Sequence, residues 1–523
     1  MVKKRIVFLA LAGLLVTSAG CGIRKNSDVK SDEYTLEIES INAGYGIKWL
    51  EELEKKFEAS HDGIDVVVVP SRNFDIAESV LKSGPKNNTA DILIYQYPYY
   101  MSLVNQTLSN GSPVLADLTD VYNSVAAGET ASVKDRIDPS LENVFNYNGT
   151  DKYYAFPTMN DTNGIVYNAK MFEENEWEVP VTTSELLELA DTILDEGEGV
   201  KPFAWFPGYW EYCTSVWWAQ YEGLEAYESF YRPDYNVAPN DENSGYNQNG
   251  REESLRVLED IVLYDSGYSI PGCLSLEFSE VQAAFVRQEK AAMMPNGGWL
   301  ITEMKDASYG DKFSFMKVPV ISALGQKLGV SESKLREIIK FIDGGETGDT
   351  RAVSSTKGFT PEEVISAIRE ARYLNSSSIS YTNVALVPAY SDALPLAKEF
   401  LLYLTTTEAM QITFEYSGMM PLVKSEIDKL DESKMNRFNK SKVDLVKSAN
   451  GRTVSMEICS DPIFYMNGLR AYTFIDNVIP EKTLGAQSAK DRKTASKIIQ
   501  EEKDYIAASW AYYRNIAEGE LNK

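Results

Sequence analysis

Between residues 34 and 97 the apolar residues switch back and forth between two periods. YTLEIESI (34–41) alternates like a strand, Asn42 to Gly46 interrupts it, and IKWLEELEKKFEAS has helical spacing. IDVVVVP is a second strand, FDIAESVLKSG a second helix and ADILIYQY a third strand. Successive parallel strands need a crossover, and a helix supplies it, so this βαβαβ order predicts an α/β fold with a parallel or mixed sheet under helices. In such sheets ligands sit beyond the carboxyl ends of the strands. Those ends are the turn Asn42–Gly46 and the run Tyr95, Gln96 and Tyr97. Alternation puts Tyr95 and Tyr97 on one side of the chain.

At 523 residues the chain exceeds what one core usually serves, so two or more lobes are expected. KYYAFPTMNDTNGIVYNAKMF leads through Pro157 to a strand at Gly164–Tyr167 and then a helix. Another helix starts at Thr183 or Ser184. Ala291–Met294 is a short strand ending in a glycine turn onto Trp299, and FSFMKVPVI is another strand. Residues 322–383 read as helices around a polar loop; VALVPAY then resumes a strand, and the rest is mostly helical. GGETGDT lacks the lysine that a phosphate loop requires.

The formal charge of −26 repels polyanions, which argues against nucleic acid and against adhesion to an anionic bilayer. The single histidine, His61, ends a helical run, so it reads as a solvated helix end. One histidine, and cysteines at 21, 213, 273 and 459 with no C-x-x-C pair, support neither a transition-metal site nor a redox motif. No cofactor and no metal are expected. Apolar neighbours mark Cys213 as a buried thiol. MVKKRIVFLALAGLLVTSAGC has a basic start, a short apolar run and small residues before Cys21. It reads as an export signal (1–20), with 21–33 a flexible polar tether. Ser18-Ala19-Gly20-Cys21 resembles the bacterial lipobox, which implies a lipid on Cys21 as the sole membrane attachment, on the outer face of the cytoplasmic membrane.

IESINAGYGIKWLEELEKKFEAS, ADILIYQY, YYAFPTMNDTNGIVYNAKMF, AAMMPNGGW and ALPLAKEFLLYLTTTEAMQ…SGMMP occur in this order. Together they resemble the extracellular solute-binding protein family 1, the maltose-binding-protein-like lipoproteins of ABC sugar importers. The resemblance covers about 34–523. It implies a two-lobed periplasmic-binding-protein-like fold with crossing hinge segments and a carbohydrate, an oligosaccharide, held between the lobes. The permease of an ABC transporter is the implied partner, and a monomer is expected. The implied N-lobe is 34–155 with 319–404, and the C-lobe 156–318 with 405–523. Crossings are expected near Tyr154–Asn160, Phe313–Val320 and Thr405–Ala409. Residues 322–383 depart from the family pattern and are expected to form a helical insertion on the N-lobe.

KPFAWFPGYWEYCTSVWW (201–218) crowds aromatic rings. Cys213, Val216, Trp217 and Gln220 recur at helical spacing, so Trp217 and Trp218 read as core. Tyr209 and Trp210, at the helix start, read as ligand contacts, since sugars pack C–H faces on rings and offer hydroxyls at their edges. Trp299, after two glycines that permit close backbone approach, is a further contact. Asn42, Gln96, Asn160 and Asp161 are candidate hydroxyl partners, with Tyr45, Tyr95 and Tyr97 as second platforms and Tyr390 and Ser391 lining the cleft. Phe464 or Tyr465 would add a ring from the C-terminal part. Two other readings share these features. A glycan-active enzyme would need two carboxylates about 5–10 Å apart, with Glu211 the nearest candidate. A receptor for a non-carbohydrate solute would use the same cleft.

Overall fold

The computed structural model describes residues 34–73, 78–96, 100–304, 307–345, 358–377, 383–448, 452–455, 461–465 and 479–521. The export signal, Cys21, the tether, Tyr97 and Cys459 lie outside them.

The first sheet opens with β1 (Thr35–Ile41). Helix α1 (Lys48–Ser60) buries Trp49, Leu50, Leu53 and Phe57 along one stripe, the apolar positions of IKWLEELEKKF. His61 caps it, its ring stacked on Phe57 at 4.0 Å. β2 (Asp65–Ser71) and β3 (Ile92–Tyr95) both pair with β1 in parallel, as the βαβαβ order requires. The short β4 (Phe156–Pro157) ends this part of the N-lobe.

The chain then crosses to a second sheet. This stretch of chain runs through β5 (Thr162–Asn168), helix α2 (Thr183–Glu196), β6 (Lys201–Phe203), helix α3 (Glu211–Glu222), β7 (Ala291–Gly297) and β8 (Phe313–Phe315), the strands joining the sheet and the helices packing with them in the C-lobe. Thr182 caps α2 by accepting from the Glu185 N–H. Trp205, Trp210, Trp217 and Trp218 lie in the core of this C-lobe. Trp217 and Trp218 are core as their spacing predicts: both are fully buried, with their indole N–H groups donated to Pro319 O and Gln248 Oε1. Cys213 and Cys273 are buried free thiols, and burial pushes the Cys213 thiol well up.

The segment after residue 320 departs from expectation. Helices α4 (Ser322–Leu328), α5 (Glu332–Asp343) and α6 (Pro361–Tyr373) do not decorate the N-lobe. Their apolar faces, Leu324, Leu335, Ile338, Ile342, Val364, Ile365 and Ile368, join the C-lobe core. Gln220 of α3 pins the segment at both ends: its carboxamide oxygen accepts the Ile321 N–H at 2.9 Å, and its Nε2 donates to Ala371 O at 3.1 Å. β9 (Asn375–Ser377) then pairs with β5 inside the C-lobe sheet.

Only at β10 (Val384–Leu386) does the chain rejoin the first sheet, antiparallel between β3 and β4. The second crossing therefore falls after Ser377, not near Phe313–Val320. The third is late as well. Helix α7 (Thr407–Ser417) packs against α1, and Ala409, Met410, Leu422 and Val423 stay in the N-lobe core. Helix α8 (Arg437–Ser448) contributes Phe438 and Leu445 to the C-lobe core, and β11 (Thr453–Ser455) extends that sheet beside β9. The crossing strands touch one another. Thr158 N–H donates to Asn383 O, and Asn160 bridges to Met420. The finished sheets run β2-β1-β3-β10-β4 and β11-β9-β5-β7-β6, with β8 on β5.

Candidate functional site

A cavity of about 490 Å³ opens between the lobes. Its N-lobe wall is built at the carboxyl ends of β1 and β3 by Ile41, Ala43 to Tyr45, and Gln96, with Asn383 from the second crossing. The C-lobe wall is the loop Phe206–Tyr209, the first turn of α3, Phe278, Trp299, Glu303 and Ile479–Glu481.

Trp299 is the centre. Three tyrosines present edges or faces to its indole at near right angles: Tyr45 at 6.1 Å, Tyr209 at 6.4 Å and Tyr212 at 6.2 Å. Edge-to-face packing of this kind holds rings without blocking every face. Phe278 and Phe206 extend the surface beyond Tyr209, at 4.8 and 5.6 Å. The turn behind Trp299 explains its glycines. The indole folds back over Gly297, and a Cβ on Gly298 would collide with the Asp161 carboxylate. Gly208, at φ +94°, sits in the left-handed region and shapes the facing loop.

The charged groups in the wall are carboxylates. Glu303 accepts the Gly44 N–H at 3.2 Å and the Gln282 side chain at 2.9 Å, and burial raises its pKa against those bonds. Glu481 is fully buried, and desolvation pushes its carboxyl up to about 7 although it accepts the Gly208 and Trp210 N–H groups. Burial likewise raises the hydroxyls of Tyr45, Tyr209 and Tyr212 above the ordinary phenol value. Ring faces beside hydroxyl and carboxyl groups suit a solute that is itself both apolar and hydroxylated. No cluster of potential metal ligands occurs among the described residues.

Residues 52–437 match the bacterial extracellular solute-binding protein family. The chain belongs to that family. The diacetylchitobiose binding protein NgcE of Streptomyces coelicolor is 22% identical over 288 residues, which span 54% of this chain and 56% of that protein. The galactooligosaccharide-binding protein of Bacillus subtilis is 22% identical over 399 residues, 72% of this chain and 86% of that one. The fold is that of the GacH receptor of Streptomyces glaucescens, solved unliganded and with acarbose: TM-score 0.58, 17% identity, covering 92% of this chain and 98% of that one. No helix among the described residues is long and apolar enough to cross a membrane.

Of the residues singled out in the sequence of this solute-binding protein, Tyr45, Gln96, Tyr209, Glu211 and Trp299 meet in the cavity. Trp210 does not. It caps the start of α3 with its ring buried against Phe203 and Trp217, because the loop turns it inward while Tyr209 turns outward. Asp161 is fully buried and already paired with Lys442 at 3.1 Å. Asn160 is buried in the crossing. Tyr95 donates to Glu39, Tyr390 donates to Leu81 O, and Ser391 donates to Asp91, all away from the cavity wall. Asn42 is exposed in its turn. Phe464 is packed in the C-lobe core; Tyr97 and the Tyr465 side chain lie outside the described residues. Sequence reasoning missed Tyr212, Phe278, Glu303 and Glu481. Glu303 lies one helical turn beyond Trp299, a spacing that points both the same way. Nothing in the sequence connects Glu481 to a loop more than 270 residues earlier.

Proposed function

We propose that the protein is a lipid-anchored receptor on the outer face of the cytoplasmic membrane. It captures a carbohydrate, an oligosaccharide, between its lobes and delivers it to an ABC transporter permease, acting as a monomer without changing the sugar. The observation that carries this reading is the interlobe cavity itself. Trp299, Tyr209 and Tyr45 offer ring faces from both lobes, and Glu303 and Glu481 stand beside them as hydroxyl acceptors. A solute touching both walls stabilises the closed arrangement over the open one. The sugar-binding relatives support the solute class, and the Ser18–Cys21 sequence supports the anchor.

Isothermal titration calorimetry against chitin-derived, galacto- and maltooligosaccharides tests the reading. Saturable binding to one series, with the sugar recovered intact after long incubation, is expected. A folded protein that binds none of them refutes carbohydrate capture, and a shortened sugar refutes the passive receptor. Labelled palmitate should be incorporated by the native chain and not by Cys21→Ala.

A further inference from the structure

The strongest polar cluster outside the cavity wall lies under it, where the crossings meet. Lys442 of α8 has no exposed side-chain surface, and neither has Asp161. An ammonium has three protons to donate. The three nearest acceptors of Lys442 Nζ are Gly418 O at 2.6 Å, Asp161 Oδ2 at 3.1 Å and Gly298 O at 3.4 Å. Those acceptors belong to the end of α7, the first crossing and the turn that presents Trp299. Asp161 has a further partner, from the other lobe: the Tyr45 hydroxyl donates to the same Oδ2. Its Oδ1 accepts the Thr162 N–H at 2.7 Å, so the carboxylate is held on both sides.

A buried ion pair contributes little net stability compared with an apolar replacement of the same shape. This one fixes a geometry instead. We propose that Lys442 is a positioning residue of a closure latch: it holds the Asp161 carboxylate at the crossing, and the Tyr45 hydroxyl of the N-lobe lands on it when the lobes close. The latch rests on reading the interlobe cavity as the binding site, and it ties that cavity to the hinge through one side chain. The ring of Tyr45 packs edge-on to Trp299 in the cavity, while its hydroxyl reaches the crossing. A solute seated on Trp299 and Tyr45 therefore favours the latched arrangement, and an opening of the latch withdraws a wall of the site.

Hydrogen exchange of the full chain without any sugar tests this. The Gly44 N–H donates across the cleft to Glu303, so its exchange reports closure. Tyr45→Phe keeps the ring and removes one oxygen. Exchange at residues 43–46 is expected to rise several-fold, with α1 and α3 as protected as in the native chain. Lys442→Met should give the same rise, and the double variant no more than either. Native exchange at 43–46 in Tyr45→Phe overturns the latch, as do additive effects in the double variant. Should Lys442→Met fail to fold, Tyr45→Phe alone decides. A chain that binds no oligosaccharide but shows these rises keeps the latch and loses the sugar reading; a chain that binds sugar with an indifferent Tyr45→Phe does the reverse.

Discussion

Trp210 and Trp299 both stand beside turns, and their surroundings give them opposite roles. Trp299 faces the cavity with tyrosines around it, whereas Trp210 is fully buried between Phe203 and Trp217. Trp299→Ala should remove a central contact, about 2 kcal/mol, so calorimetry should show the dissociation constant rising roughly 30-fold. Trp210→Ala leaves a hole in the C-lobe core and should cost about 3–5 kcal/mol of stability, read as a lower urea midpoint. The sequence separated Trp217 and Trp218 from the site because they recur at helical spacing. It could not separate Tyr209 from Trp210. Neighbours in a turn have no period, and only the backbone of the loop decides which points inward.

At the scale of elements, the loop Phe206–Trp210 is held by a chain segment far away in sequence. Glu481 accepts two of its backbone N–H groups from a fully buried carboxyl. That carboxyl has a higher pKa folded than unfolded, so the native state binds the extra proton. Its contribution to stability is complete below the ordinary glutamate value and is lost as pH rises towards about 7. Buried Glu502 behaves in the same sense. Glu481→Gln keeps an acceptor for the loop and removes the titration, so between pH 4.5 and 7 its urea midpoint should fall less steeply than the native one. β1 was legible because its alternation is regular, and β2 and β3 because they are short apolar runs rich in β-branched residues. β9 was not: Asn375-Ser376-Ser377 has no apolar face to read, and it becomes a strand only because β5 and β11 supply its partners.

For the molecule as a whole, an amphipathic helix declares which face it buries and not against what. The apolar stripes of α5 and α6 were evident in the sequence, yet the lobe they serve was not, and they complete the C-lobe core. Leu335→Ala should therefore destabilise that lobe by about 2–5 kcal/mol. Hydrogen exchange should quicken in α2 and α3 while α1 and β1 stay protected; a uniform rise in both lobes would mean that they unfold together. The distribution of tryptophan over the two lobes has a further consequence. Of eight indoles, Trp299 alone lines the cavity among the described residues. A solute that covers it changes the surroundings of one chromophore and leaves the other seven as a constant background. Tyr45, Tyr209 and Tyr212, each within 6.4 Å, pass their excitation to it. The protein thus carries its own optical reporter of occupancy, and no dye has to be attached to see it fill.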